Sequence, residues 1–379
     1  MKITGVDRWI LRAPLERPFA YAQGWLRSRT ALLVRIRTDA GLDGVGECFG
    51  PPELAAAVLD HAYAPALIGR DPLDSAVIWD ELYNLLRDHG QKGSAIEALS
   101  GVDIALWDIK GKAAGMPVAK LLGGCFRSRV EPYATGFYRT DGLSGQEAAL
   151  AREAERYRDA GFRAMKVKLG FGVDEDRRAA EAVRRAVGDG VRLMADCNHA
   201  YDPPSAIAVG RVLEEHGYRW LEEPVVPEDV DGYARVHDVL EIPIAGGEAE
   251  FTRFGMRALI ARHALDIVQP DCCGTGGLTE ARRIADLAGV FGVRTIPHVW
   301  GTRVATAAAL ALLAALAPTP PALVPEEPLL EWDCSEHPLR EAVIQEKIEI
   351  DREGMVAVPA GPGLGVTLDL DFVERACEG

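Results

Sequence analysis

The 379-residue sequence lacks a CxxC spacing, lacks an apolar run long enough to cross a bilayer, and has fewer basic than acidic residues; each absence removes a class of function. Its seven cysteines (Cys48, Cys125, Cys197, Cys272, Cys273, Cys334 and Cys377) are odd in number and scattered, which argues against a disulfide framework or a zinc knuckle and points to a reducing cytoplasm. The vicinal Cys272 and Cys273 read as buried thiols rather than a redox pair. The longest apolar run, residues 304–317, has 14 residues and suits a buried helix better than a membrane span. At the N-terminus, MKITGVDRWILRAPL brings charges too early for a secretory signal. With 42 Lys+Arg against 57 Asp+Glu, the formal charge of −15 repels nucleic-acid backbones and anionic membranes. An anionic small molecule would bind only where a cation or a lysine cluster reverses that field locally.

The length suggests two domains, or one barrel with additions. Up to about residue 49 the pattern is strand-like: KITGVDRWIL, then TALLVRIRTDAGLDGVGEC, whose DAGLDG centre signals a hairpin turn. Between the two strands, residues 17–28 (RPFAYAQGWLRS) read as a long loop of the kind that covers a site. Residues 52–123 are helical by apolar spacing. After Cys125 the pattern becomes a repeat of short apolar strand, polar strand end and amphipathic helix. The predicted strands cover residues 130–138, 163–170, 191–198, 218–223, 242–248, 266–271 and 293–298. Such alternation specifies parallel βαβ units with right-handed crossovers; seven or eight in a row suit a closed barrel, although a doubly wound open sheet fits the same pattern.

The residues that end those strands carry the chemistry. Lys166 and Lys168 are followed by Asp196, Glu222, Glu248, Asp271 and His298, at successive spacings of 23 to 28 residues from Lys168 onward. In a barrel, one βα unit per step places all of them at the C-terminal mouth, where barrel enzymes keep their active sites. Asp196, Glu222 and Glu248 offer only hard oxygen ligands, which selects Mg2+, or Mn2+, over zinc. Any one of them alone would read equally well as a strand or helix cap. Lys166 and Lys168 are one residue apart, so both face one side of a strand, and their mutual repulsion is expected to lower a lysine toward the range of a general base. Asp271 and His298 end adjacent strands, close enough for the carboxylate to orient the imidazole. A carbon acid beside a carboxylate needs such an inventory, because its enediolate carries two adjacent negative oxygens.

Several segments resemble the enolase superfamily, specifically the mandelate racemase and muconate lactonizing enzyme group. They are residues 95–124 (AIEALSGVDIALWDIKGKAAGMPVAKLLGG), MKVKLG, LMADCN through WLEEP, IAGGE, DIVQPDCCGTGGLTEARRIADLA, PHVWGT and VPAGPGLGV. The resemblance implies an α+β capping domain at residues 1–127, a modified (β/α)7β barrel at 128–325, and a last strand and tail returning to the cap at 326–379. It further implies Asp196, Glu222 and Glu248 as magnesium ligands, Lys168 as one base, Lys166 on the substrate carboxylate, and His298 with Asp271 as the opposing base. Glu331, in preference to Glu327, matches a carboxylic acid that donates to the enolate oxygen. Substrate contacts would come from Tyr21 and Trp25 on the cap and from Asn198, His199 and Trp300 on the barrel.

Within the group, FGVDEDRRAAEAVR, DCNHAYD, EEPVVPEDVDGYARV and PDCCGTGG are most similar to lactone-opening cycloisomerases. The expected reaction opens a galactarolactone or other aldarolactone to a 3-deoxy-2-keto hexarate. An acid-sugar dehydratase, a racemase or epimerase, and a catalytically silent metabolite-binding relative are the alternatives. A homo-oligomer, octamer or dimer, is also implied. GPGLG (361–365) and GTGG (274–277) lack the strand and helix context of a nucleotide site and read as turns.

Overall fold

The structure is a computed structural model that describes residues 1–377. Its first layer is an antiparallel sheet of β1 (Ile3–Tyr21), β2 (Gly24–Thr38) and β3 (Asp43–Cys48), the last two joined by the turn read in DAGLDG. Residues 17–28 are not a loop: Phe19, Ala20 and Tyr21 pair with Leu26, Trp25 and Gly24, leaving a two-residue turn at Ala22 and Gln23. Pro14 and Pro18 cannot donate to a ladder, and the register shifts between Pro14 and Phe19, an irregularity that carries the hairpin past them.

Helices α1 (Ser75–Leu85) and α2 (Ser94–Ala114) pack behind the sheet. Helix α2 is buried along most of its length, lying between β3 and the barrel. Its contact with β3 requires Gly44 and Gly46, where a Cβ would stand 2.0 Å from the carbonyl oxygens of Ala105 and Gly101.

The second unit is an eight-stranded parallel sheet. Its strands are β4 (Pro132–Gly136), β5 (Ala164–Lys168), β6 (Arg192–Asp196), β7 (Leu221–Glu222), β8 (Ile244–Gly246), β9 (Ile267–Val268), β10 (Arg294–Thr295) and β11 (Leu330–Asp333). Neighbours run in the order β10, β9, β8, β7, β6, β5, β4, β11, so the last strand pairs with the first of the unit. Four residues beyond β10, Val299 N donates to Glu331 Oε2 on β11 at 2.9 Å. This curled parallel sheet with a separate antiparallel cap excludes the doubly wound alternative. Its ladders are two to five residues long, shorter than the sequence pattern suggests. Lys168, Asp196 and Glu222 are the last ladder residues of their strands, whereas Glu248, Asp271 and His298 lie two or three residues beyond theirs. Backbone at the mouth thus leaves the sheet to aim side chains inward.

The helices show why this sequence folds so. Helix α3 (Glu147–Asp159) is amphipathic, and α4 (Val173–Val187) has Asp174, Glu175 and Asp176 in its first turn and Arg184 and Arg185 in its last, matching the helix dipole. The apolar run forms α6 (Arg303–Ala315), following α5 (Gly277–Val290); every position of α6 is buried, as an all-round apolar helix must be. No helix of the described residues is long and apolar enough to cross a membrane. The cap is bonded to the barrel at these two helix starts. Glu47 on β3 accepts from Thr302 N (2.9 Å), Thr302 Oγ1 (2.6 Å) and Ala305 N (3.1 Å), and Asp103 on α2 accepts from Thr279 N (2.9 Å) and Oγ1 (2.6 Å).

Candidate active site

Side chains alternate in direction along a strand, so Lys166 and Lys168 on β5, Asp196 on β6 and Glu222 on β7 all enter the barrel mouth. Asp196, Glu222 and Glu248 each place an oxygen within 4.8 Å of the others, the arrangement needed to hold one cation. Their surroundings fit that role. Asp196 Oδ1 accepts from Asn198 N at 2.8 Å, and Glu222 Oε2 accepts from Gln269 Nε2 at 2.6 Å and Trp220 Nε1 at 3.1 Å. Glu248 Oε2 is buried and has no hydrogen-bond partner among the described residues. An orphaned anionic oxygen beside two oriented carboxylates is costly unless a cation engages it.

Lys166 Nζ touches Glu222, lies 2.8 Å from Glu331 Oε1 and 3.8 Å from Asp196 Oδ2; Lys168 Nζ donates to Asp196 Oδ2 at 2.5 Å and to Asn198 Oδ1 at 3.1 Å. The expected lowering of these lysines does not occur in this arrangement. Burial pulls both down and Lys166 also pulls Lys168 down, but the carboxylates outweigh these effects: Glu222 and Glu331 hold Lys166 up, and Asp196 holds Lys168 up. Asp196 is held down at about 2; burial opposes this, and Lys168 and Lys166 overcome it.

Across the site, His298 Nδ1 is 2.7 Å from Asp271 Oδ2, and Asp271 Oδ1 accepts from Cys273 N at 2.6 Å. The pinned Asp271 thereby fixes the ring and turns Nε2 toward the metal side, 3.5 Å from Glu248 Oε2. Burial would lower His298, yet Glu248, Glu331 and Asp271 raise it to about 10. Glu331 accepts from Lys166 Nζ, Thr135 Oγ1 (2.7 Å) and Val299 N (2.9 Å). Burial raises it, but Lys166, His298 and Lys168 bring it below the ordinary value. Glu327 lies away from this cluster, paired with Arg127 at 2.6 Å.

These groups open on a cavity of about 100 Å³, lined by both Lys168 and His298 and by Glu248, Glu331 and Asn198. Of the expected substrate contacts, Tyr21, Asn198 and Trp300 line it. Trp25 is 43% exposed on the hairpin and His199 turns aside to Glu223 Oε2 at 3.0 Å; neither lines the cavity. Three residues there are strained: Asn198, His199 and Glu223 have φ of 42°, 64° and 45°, in the left-handed region.

The sequence reading missed Phe49 and Tyr138 in the wall and Gln269 and Thr135 behind the acids. Gln269 stands two residues before Asp271 and Thr135 at the end of the first barrel strand, positions that inward alternation marks out. Cys272 and Cys273 are buried, and burial pushes both thiols well up, as expected of inert cysteines. Likewise GPGLG is a turn, with Leu364 N donating to Asp108 Oδ1 at 2.8 Å.

Comparison with known proteins bears on this geometry. Residues 6–123 match the N-terminal domain family of mandelate racemase and muconate lactonizing enzyme, and residues 149–372 match the enolase C-terminal domain-like family. The chain is 47% identical over 371 residues to D-galactarolactone cycloisomerase of Agrobacterium fabrum, covering 98% of this chain and 97% of that one. It is 35% identical over 342 residues to L-talarate/galactarate dehydratase of Salmonella typhimurium, covering 89% and 80%. The crystal structure of 3,6-anhydro-D-galactonate cycloisomerase from Zobellia galactanivorans superposes with a TM-score of 0.90 over the whole of both chains at 38% identity. The protein is therefore an enzyme of the enolase superfamily, a member of its mandelate racemase and muconate lactonizing enzyme group.

Proposed function

We propose that the enzyme removes the proton next to a carboxylate in a sugar-acid lactone and expels the ring oxygen, with Asp196, Glu222 and Glu248 holding Mg2+, for which Mn2+ can substitute. On this reading residues 1–127 cap the site, 128–325 carry the barrel, and 326–379 return with the last strand to the cap. The observation that carries it is the convergence of Lys168 and His298 on one cavity that Glu248, a member of the acidic triad, also lines. When bound, the cation supplies charge that stabilises the enediolate oxygens.

Lys166, cationic and buried, faces the carboxylate of the substrate. Lys168 Nζ donates to Asp196 Oδ2 at 2.5 Å; were the Asp196 carboxylate to hold the cation, that bond would weaken and Lys168 would be available as a base. Lys168 Nζ takes the α-proton. The carbanion electron pair then forms the carbon–carbon double bond as the β carbon–oxygen bond breaks, and the lactone oxygen leaves as a carboxylate. The enol tautomerises to a 3-deoxy-2-keto hexarate. The named activity of the 47% identical relative supports an aldarolactone, galactarolactone first.

A dehydratase is the second reading. Hydroxide departs only with a proton, and His298, raised to about 10, carries one at neutral pH. Product analysis in deuterated water, with galactarolactone and a panel of aldonates and aldarates, separates the two. The proposal expects an Mg2+-dependent keto diacid from the lactone, abolished by chelator. Turnover that survives chelation, or no keto acid from any of these compounds, contradicts it.

A further inference from the structure

A second and larger cavity, of about 380 Å³, lies against the reaction cavity, between the hairpin, the end of β3 and residues 300–301. The two share three lining side chains, all aromatic: Tyr21, Phe49 and Trp300. These rings form a wall between the chambers.

The wall is braced from behind. The Arg29 guanidinium lies 3.8 Å from the centre of the Trp300 ring, and Arg29 Nη2 donates to Asp333 Oδ2 and to the Trp300 carbonyl, each at 3.0 Å. Arg29 is 3% exposed. The stacked pair therefore cannot swing without breaking a buried ion pair. Phe49 is held edge-on to His298, ring centres 5.4 Å apart. Trp300 Nε1 is buried with no hydrogen-bond partner among the described residues, a donor available to whatever fills the cavity. Beyond the wall the lining includes Ser28 and Thr30, whose hydroxyls suit the alcohols of a sugar chain. The reaction cavity alone is well below the roughly 300 Å³ at which small-molecule sites typically begin, whereas the second chamber exceeds it.

We propose that Trp300, braced by Arg29, is the specificity-determining residue that confines the substrate to a compact cyclic acid; without the indole the two chambers merge and an extended open-chain acid of the same charge is admitted. This rests on the reading of the site as one for sugar acids. It assigns the preference for lactone over open chain to a wall rather than to the bases.

The test uses two six-carbon monoanions, galactaro-1,4-lactone and open-chain galactonate, bound in the presence of Mg2+ to protein carrying Lys168→Ala so that neither turns over. The expected parent binds the lactone more tightly. Adding Trp300→Ala shifts the ratio of the two dissociation constants toward galactonate by about tenfold or more, the scale of adding or removing a filled methylene-sized space. Trp300→Leu moves it the same way by less and guards against an unfolded alanine variant. Trp300→Phe keeps the wall and leaves the ratio within about threefold of the parent, while removal of the indole donor weakens binding of both acids alike.

A ratio unmoved in folded Trp300→Ala and Trp300→Leu proteins, or no binding of galactonate to either, overturns the assignment. Failure of the underlying reading shows separately, as the absence of any Mg2+-dependent keto acid from the otherwise unaltered enzyme.

Discussion

The two ends of the barrel are built by the same strands two residues apart, and they could hardly differ more. Ala164 precedes Lys166, Met194 precedes Asp196, Trp220 precedes Glu222, and Ile296 precedes His298, each pair facing inward from one strand. The first members, with Tyr133, Ala245, Ile267 and Leu329, form a buried apolar plug. The second members form a cluster of buried charges. The plug supplies a rigid, dry floor, and the charges stand on it. A step of one inward position separates what stabilises the fold from what the fold is for. The contrast also explains why cavity size is a poor guide here. A cavity of about 170 Å³ opens beside Trp220, Arg294 and Leu329 at the plug end, larger than the reaction cavity, yet neither Lys168, His298 nor any member of the acidic triad lines it.

The comparison can be broken by moving chemistry or stability to the wrong end. The largest effect is expected at the mouth: Lys168→Ala and His298→Asn should each lower kcat by about 10²- to 10⁴-fold, the usual contribution of a general acid or base. Circular dichroism should be unchanged. Activity within a few-fold of the parent in both variants would remove the bases from the account. At the plug, Met194→Ala should cost about 2–5 kcal/mol of stability by denaturant titration, because Met194 is fully buried, while kcat per folded molecule stays near the parent value. A variant that keeps its stability but loses its rate would mean the two ends are not separable.

Between the ends lies Gln269, which does not line the reaction cavity but orients Glu222. Gln269→Leu should weaken Mg2+ binding by about 10- to 100-fold in calorimetry, as outer-layer hydrogen bonds to metal ligands commonly do. Unchanged affinity would show that Trp220 and Lys166 orient Glu222 without the amide.

How far the site was legible in the sequence follows from the same geometry. Lys168, Asp196, Glu222, Glu248, Asp271 and His298 were readable because ionisable residues recur once per βα unit, and the structure brings all six to one mouth. Gln269, Thr135, Phe49 and Tyr138 were not, since an amide, a hydroxyl or an aromatic at a strand end carries no mark of chemistry until its neighbours are known. The hairpin at Tyr21 was hidden by Pro14 and Pro18, which only a register irregularity accommodates. The partner of Lys168 was hidden for a tertiary reason: the KxK spacing shows the neighbouring lysine, but Asp196, which holds Lys168 up, arrives from the next strand.

The smallest predicted effect concerns charge behind the mouth. His337 is buried near Arg29 and Arg340; burial, and then those guanidinium groups, push it down to about 2. Its folded-state value lies below its unfolded value, so the unfolded chain binds the proton more readily. The resulting stability is present above about pH 6.5 and is lost as pH falls toward 2, by at most about 1.4 kcal/mol per pH unit. Thermal denaturation of His337→Gln should therefore show a shallower loss between pH 6 and 4 than the parent. A parallel decline in both proteins would place the acid sensitivity elsewhere.

The central claim is that Asp196, Glu222 and Glu248 form one cation site, and the most direct measurement is anomalous diffraction from crystals soaked in Mn2+. The account predicts a single strong peak within about 2.0–2.3 Å of an oxygen from each of the three residues, at hard-cation coordination distances. A peak elsewhere, or three carboxylates left engaged only with Lys166, Lys168 and Gln269 under saturating Mn2+, would contradict it.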